Sequence, residues 1–160
     1  MYLENFGWSW IVSRLIPRKI EALWHWHPGC KLGIKNKQIV STQNERGNLE
    51  IIPVGSPHWT VTLVKGQQIP QIQGWYGKEY DKFEPNKVII YSTEIQKTNA
   101  FVWILYSSEN KAPSVQAQIL SEDKDGFTLR VINHEEGKWI LTIPFSECSK
   151  ESFQFSKHRK

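Results

Sequence analysis

Short runs in which apolar and polar residues alternate recur along the whole chain, and this period of two constrains the fold more than any other feature. Each run is about five to eight residues long and is rich in Val, Ile, Trp, Tyr and Thr, which favour β-strands. The runs cover residues 8–12, 20–26, 38–41, 49–54, 59–64, 88–91, 100–106, 115–120, 127–132 and 139–143. No segment with a helical period longer than about ten residues competes with them.

Turn-forming residues separate these runs, as at Pro28-Gly29, Lys65-Gly66 and Asp125-Gly126. Closely spaced strands without helices between them predict an all-β fold, an antiparallel β-sandwich of about ten strands, in a single domain over residues 1–160. Residues 127–133 and 138–145 are expected to form a hairpin. The segment 67–85 is too long for a tight turn and is interpreted as an ordered loop that carries binding residues. Residues 150–160 are expected to form a tail.

The charge pattern favours anionic partners only weakly. The net charge is +4 and the isoelectric point is near 9.0, but 20 basic residues are interleaved with 16 acidic ones. The one basic cluster, residues 157–160, is terminal, so nucleic acid is not predicted as a partner. The N-terminal sequence MYLENFGWSW lacks the basic and apolar regions of a secretory signal, and no apolar run is long enough for a membrane span.

Residues 21–30, EALWHWHPGC, place two histidines, two tryptophans and a cysteine close together. Strand alternation puts His25 and His27 on one face and Trp24 and Trp26 on the other. The tryptophan face is predicted to be buried. The histidine spacing suits two ligands of a zinc ion, which needs at least one further protein ligand. Alternatively, one histidine is solvated at the sheet rim and the other is hydrogen-bonded.

Further zinc ligands would have to come from elsewhere in the fold, from His58, His134, Cys30 or an acidic residue. The two cysteines, Cys30 and Cys148, could form a disulfide or remain as buried thiols, and their number and spacing do not decide between these.

The segment GWYGKEYDKFEP supplies the candidate ligand-binding residues Trp75, Tyr76, Lys78 and Tyr80. Aromatic rings beside lysines suit the apolar face and the carboxylate of an acidic sugar. The alternative is that the loop folds its rings back over the sandwich. No nucleophile elbow, phosphate loop, zinc helix or carboxylate dyad is present, so no catalytic residues are predicted.

The order of several motifs resembles the C-terminal β-sandwich part of the heparinase II/III-like polysaccharide lyases. These motifs are the tryptophan-led strand WIVS at residues 10–13, HWHPG at 25–29, GWY at 74–76 and the closing strand FVWILY at 101–106. The resemblance covers roughly residues 8–109, and the order of the motifs is more specific than any one of them. The aspartate that often follows the tryptophan-led strand in that family is replaced near Arg14.

The resemblance implies a module that contributes to binding of acidic, uronate-containing polysaccharide. Members of this family cleave such chains by β-elimination, with an α/α toroid domain preceding the sandwich, and are often exported. The toroid and the early histidine-rich segment have no counterpart in this sequence, so little or no lyase activity is expected from the chain alone. A later sandwich histidine completes a metal site in some relatives, and the resemblance assigns that position to His25, or otherwise to His27. A free-standing carbohydrate-binding module and a structural or protein-interaction sandwich are the alternatives.

Overall fold

The computed structural model describes residues 8–12, 17–55, 58–96, 99–110, 114–135, 137–144 and 154–158. These residues form fourteen strands and no helix. The strands are β1 (Trp8–Val12), β2 (Arg18–His25), β3 (Leu32–Lys35), β4 (Ile39–Thr42), β5 (Asn48–Val54), β6 (Thr60–Lys65), β7 (Trp75–Glu79), β8 (Lys82–Pro85), β9 (Lys87–Ile95), β10 (Asn99–Ser108), β11 (Val115–Glu122), β12 (Gly126–Asn133), β13 (Gly137–Pro144) and β14 (Gln154–His158). The all-β fold is therefore confirmed.

Every strand pairing in the described residues is antiparallel, and the strands form four sheets. The central sheet has the order β1-β10-β5-β4-β3. A three-stranded sheet, β2-β9-β6, and a four-stranded sheet, β11-β12-β13-β14, accompany it, and β7 and β8 form a separate hairpin. The predicted hairpin across residues 135–137 is the β12–β13 pair.

The central sheet is buried on both faces, which makes the sandwich three layers thick. Along β10, Val102, Ile104 and Tyr106 enter one core, whereas Phe101 and Trp103 enter the other. Because successive strand residues point to opposite faces, this strand is apolar at nearly every position. The first core lies against the four-stranded sheet and the second against the three-stranded sheet.

The second core is dominated by aromatic rings. Trp103 lies with its ring centroid 5.0 Å from that of Trp59, 6.1 Å from that of Phe101 and 6.4 Å from those of Trp24 and Tyr91. Burial raises the pKa of the Tyr91 phenol, because ionisation would place a charge in the core. The neutral hydroxyl donates a 2.8 Å hydrogen bond to a backbone carbonyl in the β3–β4 turn, which joins two layers.

A buried carboxylate ties the central sheet to the four-stranded sheet. Glu50 on β5 is almost fully buried on the face of the first core. Its Oε1 atom lies 3.0 Å from Nζ of Lys35, and its Oε2 atom accepts a 3.0 Å hydrogen bond from the backbone N–H of Val115 at the start of β11. Both carboxylate oxygens are thus occupied, as a buried charge requires.

All ten predicted runs form strands, but the estimate of about ten strands was too low, because β3, β7, β8 and β14 were not predicted. β3 is four residues long and contains a glycine, and β7 and β8 are rich in Gly, Lys and Glu, which carry little strand propensity. The segment 67–85 is therefore not simply a loop, since its second half is a hairpin. The segment expected to be a tail contains β14, which pairs with β13.

Within the described residues, no helix has the length and apolarity needed to cross a membrane. Cys30 is half-buried and forms no disulfide with any described residue; the other cysteine of the predicted alternatives, Cys148, lies outside the described residues. Arg14 also lies outside them.

Candidate functional site

The β7–β8 hairpin carries the four predicted binding residues, but it does not place them all on one face. These residues are Trp75, Tyr76, Lys78 and Tyr80. In its register, Trp75 lies opposite Pro85 and Tyr76 lies opposite Glu84. Because neighbouring residues of a strand point to opposite sides, Trp75 and Tyr76 occupy opposite faces of the hairpin. The hairpin therefore has a tryptophan face and a tyrosine face rather than a single aromatic platform.

On the tryptophan face, Trp75 is half-buried and takes part in packing. Its Nε1 atom donates a 3.0 Å hydrogen bond to the backbone carbonyl of Gln67. A Cβ atom added at Gly66 would lie 3.7 Å from Cζ2 of Trp75 and 3.1 Å from Cβ of Pro85. The indole thus packs against the strand end that precedes the hairpin, and Phe83, across from Gly77, extends this face toward the tip.

On the tyrosine face, Tyr76 contacts His27. The two ring centroids are 5.5 Å apart and the ring planes meet at 67°. The Nδ1 atom of His27 accepts a 3.2 Å hydrogen bond from the N–H of Gly29, and its carbonyl accepts one of 2.9 Å from Cys30. The HPGC turn therefore orients the imidazole against Tyr76, a contact between two separately predicted segments that the sequence did not indicate.

The hairpin tip is polar apart from its aromatic rings. Lys78 and Tyr80 are exposed, and Tyr80 is 98% exposed. Glu79 and Lys82 form an ion pair across the turn. The strand register shifts between Gly77 and Glu79, so Lys78 lies in a bulge.

The base of the hairpin is anchored by one glycine carbonyl. The carbonyl of Gly74 accepts hydrogen bonds from the N–H groups of Gly66 and Asn86, at 2.9 and 2.6 Å. Gly74 has a φ of +75°, and a Cβ atom there would lie 2.7 Å from the carbonyl oxygen of Asn86. Only glycine fits this position without strain, so the hairpin is held in a fixed place beside β6 and β9.

Beside the HPGC turn lies an open polar recess of about 460 Å³. We call it the basic recess; its lining residues are Gly29, Lys31, Asn44, Glu45 and Arg46. This recess was not predicted, because Lys31 and the loop before β5 are separate in sequence and meet only through the β3–β4 hairpin. The polar run QNERGN at residues 43–48 is the sequence feature that could have indicated a polar surface here.

A second recess of about 330 Å³ lies on the three-stranded sheet; it is lined by Lys19, His58, Thr60, Ser92, Thr93 and Glu94. Its charges are balanced, because Lys19 lies opposite Glu94 in the β2–β9 pair and is ion-paired with Glu21 at 2.6 Å. It offers no net attraction for an anion.

Of the two histidines of the predicted zinc site, His25 is the last residue of β2 and His27 lies in the segment after it. His25 and His27 are exposed, whereas Trp26 is buried and Trp24 is half-buried. In the described part of the chain, however, no group of three or more His, Cys, Asp or Glu residues could hold a metal ion. No third ligand from His58, His134 or Cys30 joins the pair.

No protein-family model matches the chain, and no curated protein or solved structure is significantly similar to it. Function is therefore inferred from the residues and from where the fold places them.

Proposed function

We propose that this chain is a β-sandwich module that binds acidic, uronate-containing polysaccharide, as the sandwich part of a heparinase II/III-like lyase. The observation that carries the proposal is the exposure of Tyr76, Lys78 and Tyr80 at the tyrosine face and tip of the β7–β8 hairpin. Tyr76 is 37% exposed, Tyr80 is almost fully exposed, and Lys78, which lies between them in sequence, is also exposed. Lys82 is exposed as well, but it is paired with Glu79. The order of the motifs over residues 8–109 gives independent support.

This combination suits an acidic sugar for two physical reasons. An exposed aromatic ring offers a flat apolar surface to the C–H face of a pyranose, and its hydroxyl can remain hydrated. An ammonium group beside the ring attracts the carboxylate and forms a charge-assisted hydrogen bond with it. A free-standing carbohydrate-binding module would use the same side chains.

The alternative of a protein-interaction sandwich has one observation in its favour. Ile69 and Ile72, in the segment before the hairpin, are 85% and 76% exposed. Such residues suit contact with another protein surface, for example an α/α toroid domain. Polysaccharide binding by the isolated chain distinguishes this alternative from the proposal.

We expect the purified chain to bind alginate or heparin, and the Tyr76→Ala and Tyr80→Ala substitutions to weaken binding. Loss of one exposed ring from a binding site costs about 1–2 kcal/mol, or about five- to thirtyfold in Kd. Isothermal titration calorimetry measures the effect, and the melting temperature reports whether each variant is folded.

Leu120→Ala is the matched control, since Leu120 is a partly exposed apolar residue on β11, away from the hairpin. It should leave the Kd unchanged, and a neutral polysaccharide such as dextran should not bind. Equal weakening by all three substitutions, or full binding by both tyrosine variants, would contradict a site at the hairpin.

We expect no lyase activity from the chain alone. Elimination needs a base at the C5 proton and neutralisation of the adjacent carboxylate at the same time, because the carbanion-like state is otherwise too unstable. The family resemblance assigns the tyrosine and the neutralising residues to the toroid domain. Ultraviolet absorbance of the unsaturated uronate product should therefore stay flat when the protein is incubated with a polysaccharide that it binds. A rise that scales with protein concentration would refute this expectation.

A further inference from the structure

The basic recess contains two cationic side chains without an acidic partner. Within the residues that the structure describes, neither Lys31 nor Arg46 forms an ion pair, whereas Lys19, Lys35 and Lys82 each do. Of the described residues that line the recess, Glu45 is the only acidic one. Two cations against one carboxylate leave a net attraction for an anion, which the charge-balanced recess on the three-stranded sheet lacks.

The loop that carries Arg46 is held rigid by reciprocal asparagine hydrogen bonds. The Oδ1 atom of Asn48 accepts from the N–H of Asn44 at 2.7 Å, and the Nδ2 atom of Asn48 donates to the carbonyl of Asn44 at 2.9 Å. Asn48 is buried and its Oδ1 atom also accepts from Thr42 at 3.0 Å. The Oδ1 atom of Asn44 in turn accepts a 3.1 Å hydrogen bond from the N–H of Lys31. The backbone of the recess is thus ordered before any ligand binds, which lowers the entropic cost of binding.

The basic recess and the tyrosine face of the hairpin are linked through the HPGC turn at residues 27–30. Gly29 lines the recess, and its N–H donates to the imidazole of His27. The same imidazole lies against the ring of Tyr76. The recess, His27 and Tyr76 therefore follow one another along the surface, as successive subsites for an extended polymer would.

We propose that the basic recess is an anion subsite of the same polysaccharide site, where Lys31 and Arg46 bind the charged group of a sugar residue next to the one held by Tyr76. This inference rests on the proposed function and names how its ligand is recognised. The guanidinium of Arg46 can engage both oxygens of a carboxylate or sulfate group, and the ammonium of Lys31 adds a second charge-assisted contact. Glu45 opposes the anion and limits the affinity.

The experiment compares two double variants of equal charge. Lys31→Gln/Arg46→Gln should weaken binding of alginate oligosaccharides by about ten- to thirtyfold. It should also flatten the dependence of Kd on salt concentration. Lys37→Gln/Lys124→Gln removes the same net charge from the far end of the β3–β4 hairpin and from the β11–β12 turn, and should change Kd by less than about twofold. Melting temperatures of both variants should match that of the unmodified chain.

Glu45→Gln provides a test of opposite sign, because removing the repelling carboxylate should tighten binding by about two- to fivefold. Alginate carries carboxylates alone, whereas heparin also carries sulfates, so carboxyl-reduced heparin separates the two anion sources. If the chain binds carboxyl-reduced heparin, and if the Lys31→Gln/Arg46→Gln substitution weakens that binding, then sulfate is a ligand of the recess.

Equal weakening by the two double variants would overturn the inference, because it would show a long-range effect of net charge only. Full binding by Lys31→Gln/Arg46→Gln, together with weak binding by Tyr76→Ala, would also overturn the inference. In that case the proposed function would stand without this subsite. If the unmodified chain binds neither alginate nor heparin, the proposed function itself fails.

Discussion

Replacing Trp103 by alanine is expected to destabilise the fold by about 3–5 kcal/mol, the range for removing a large buried aromatic residue. The Trp103 side chain is only 3% exposed and lies among four aromatic rings between the central and three-stranded sheets. Because protein interiors are closely packed, the surrounding rings are expected to fill the resulting cavity only in part. Urea unfolding followed by tryptophan fluorescence and far-ultraviolet circular dichroism measures the free energy of unfolding.

Two further variants define the cause of this loss. Among the described residues, the Nε1 atom of Trp103 has no hydrogen-bond partner. Trp103→Phe therefore keeps most of the packing, gives up no hydrogen bond to those residues and should cost less than Trp103→Ala. Tyr80→Ala removes a solvated ring and should change stability by less than about 0.5 kcal/mol. A Trp103→Ala protein as stable as Tyr80→Ala would show that the aromatic core is not packed as described.

The second large effect is expected at Glu50. Alanine at this position removes the acceptor of the Val115 N–H and leaves that donor buried, together with a cavity, so we expect a loss of about 3–4 kcal/mol. Glu50→Gln keeps an acceptor and the side-chain shape, and should cost about 1–2 kcal/mol. The free energy of unfolding in urea again provides the measurement.

Lys35 tests whether the ion pair contributes in addition to the hydrogen bond. Its side chain is 43% exposed whereas that of Glu50 is 2% exposed, so Lys35→Met leaves a buried carboxylate without its cation. The cost of Lys35→Met should therefore shrink in the Glu50→Gln background. Strict additivity of the two substitutions would indicate that Lys35 and Glu50 are not energetically coupled.

The strands were largely predictable because alternation is a local signal. The alternation at residues 24–27 was predicted correctly: Trp24 and Trp26 are half-buried and buried, whereas His25 and His27 are exposed, although β2 ends at His25. The three layers were not predicted, although the uninterrupted apolar run of β10 is typical of a strand buried on both faces. Such a run indicates that both faces are covered, but it does not specify which sheets cover them.

The candidate binding residues were chosen from the sequence, but their arrangement in space was not predicted. The exposure of Lys78 and Tyr80 follows from the Gly-rich, charged composition of their segment. The separation of Trp75 from Tyr76 requires knowing that both lie in a strand, which weak strand propensity concealed. The contact of His27 with Tyr76 and the meeting of Lys31 with Arg46 are tertiary, so no spacing in the sequence could have revealed them.

The double-sided burial of β10 leaves its alignment with β5 weakly encoded by hydrophobicity. In most strands a slip of one residue exposes the apolar set to water and is strongly disfavoured, but here it would exchange one apolar set for another. The correct register is therefore specified mainly by polar side chains on β5. Glu50 accepts a hydrogen bond from the N–H of Val115, and Asn48 accepts one from the hydroxyl of Thr42. A one-residue slip of β5 would turn Glu50 away from its hydrogen-bond partner and toward the aromatic core. These few polar side chains therefore act against mispaired states during folding, a role separate from their contribution to the stability of the native sheet.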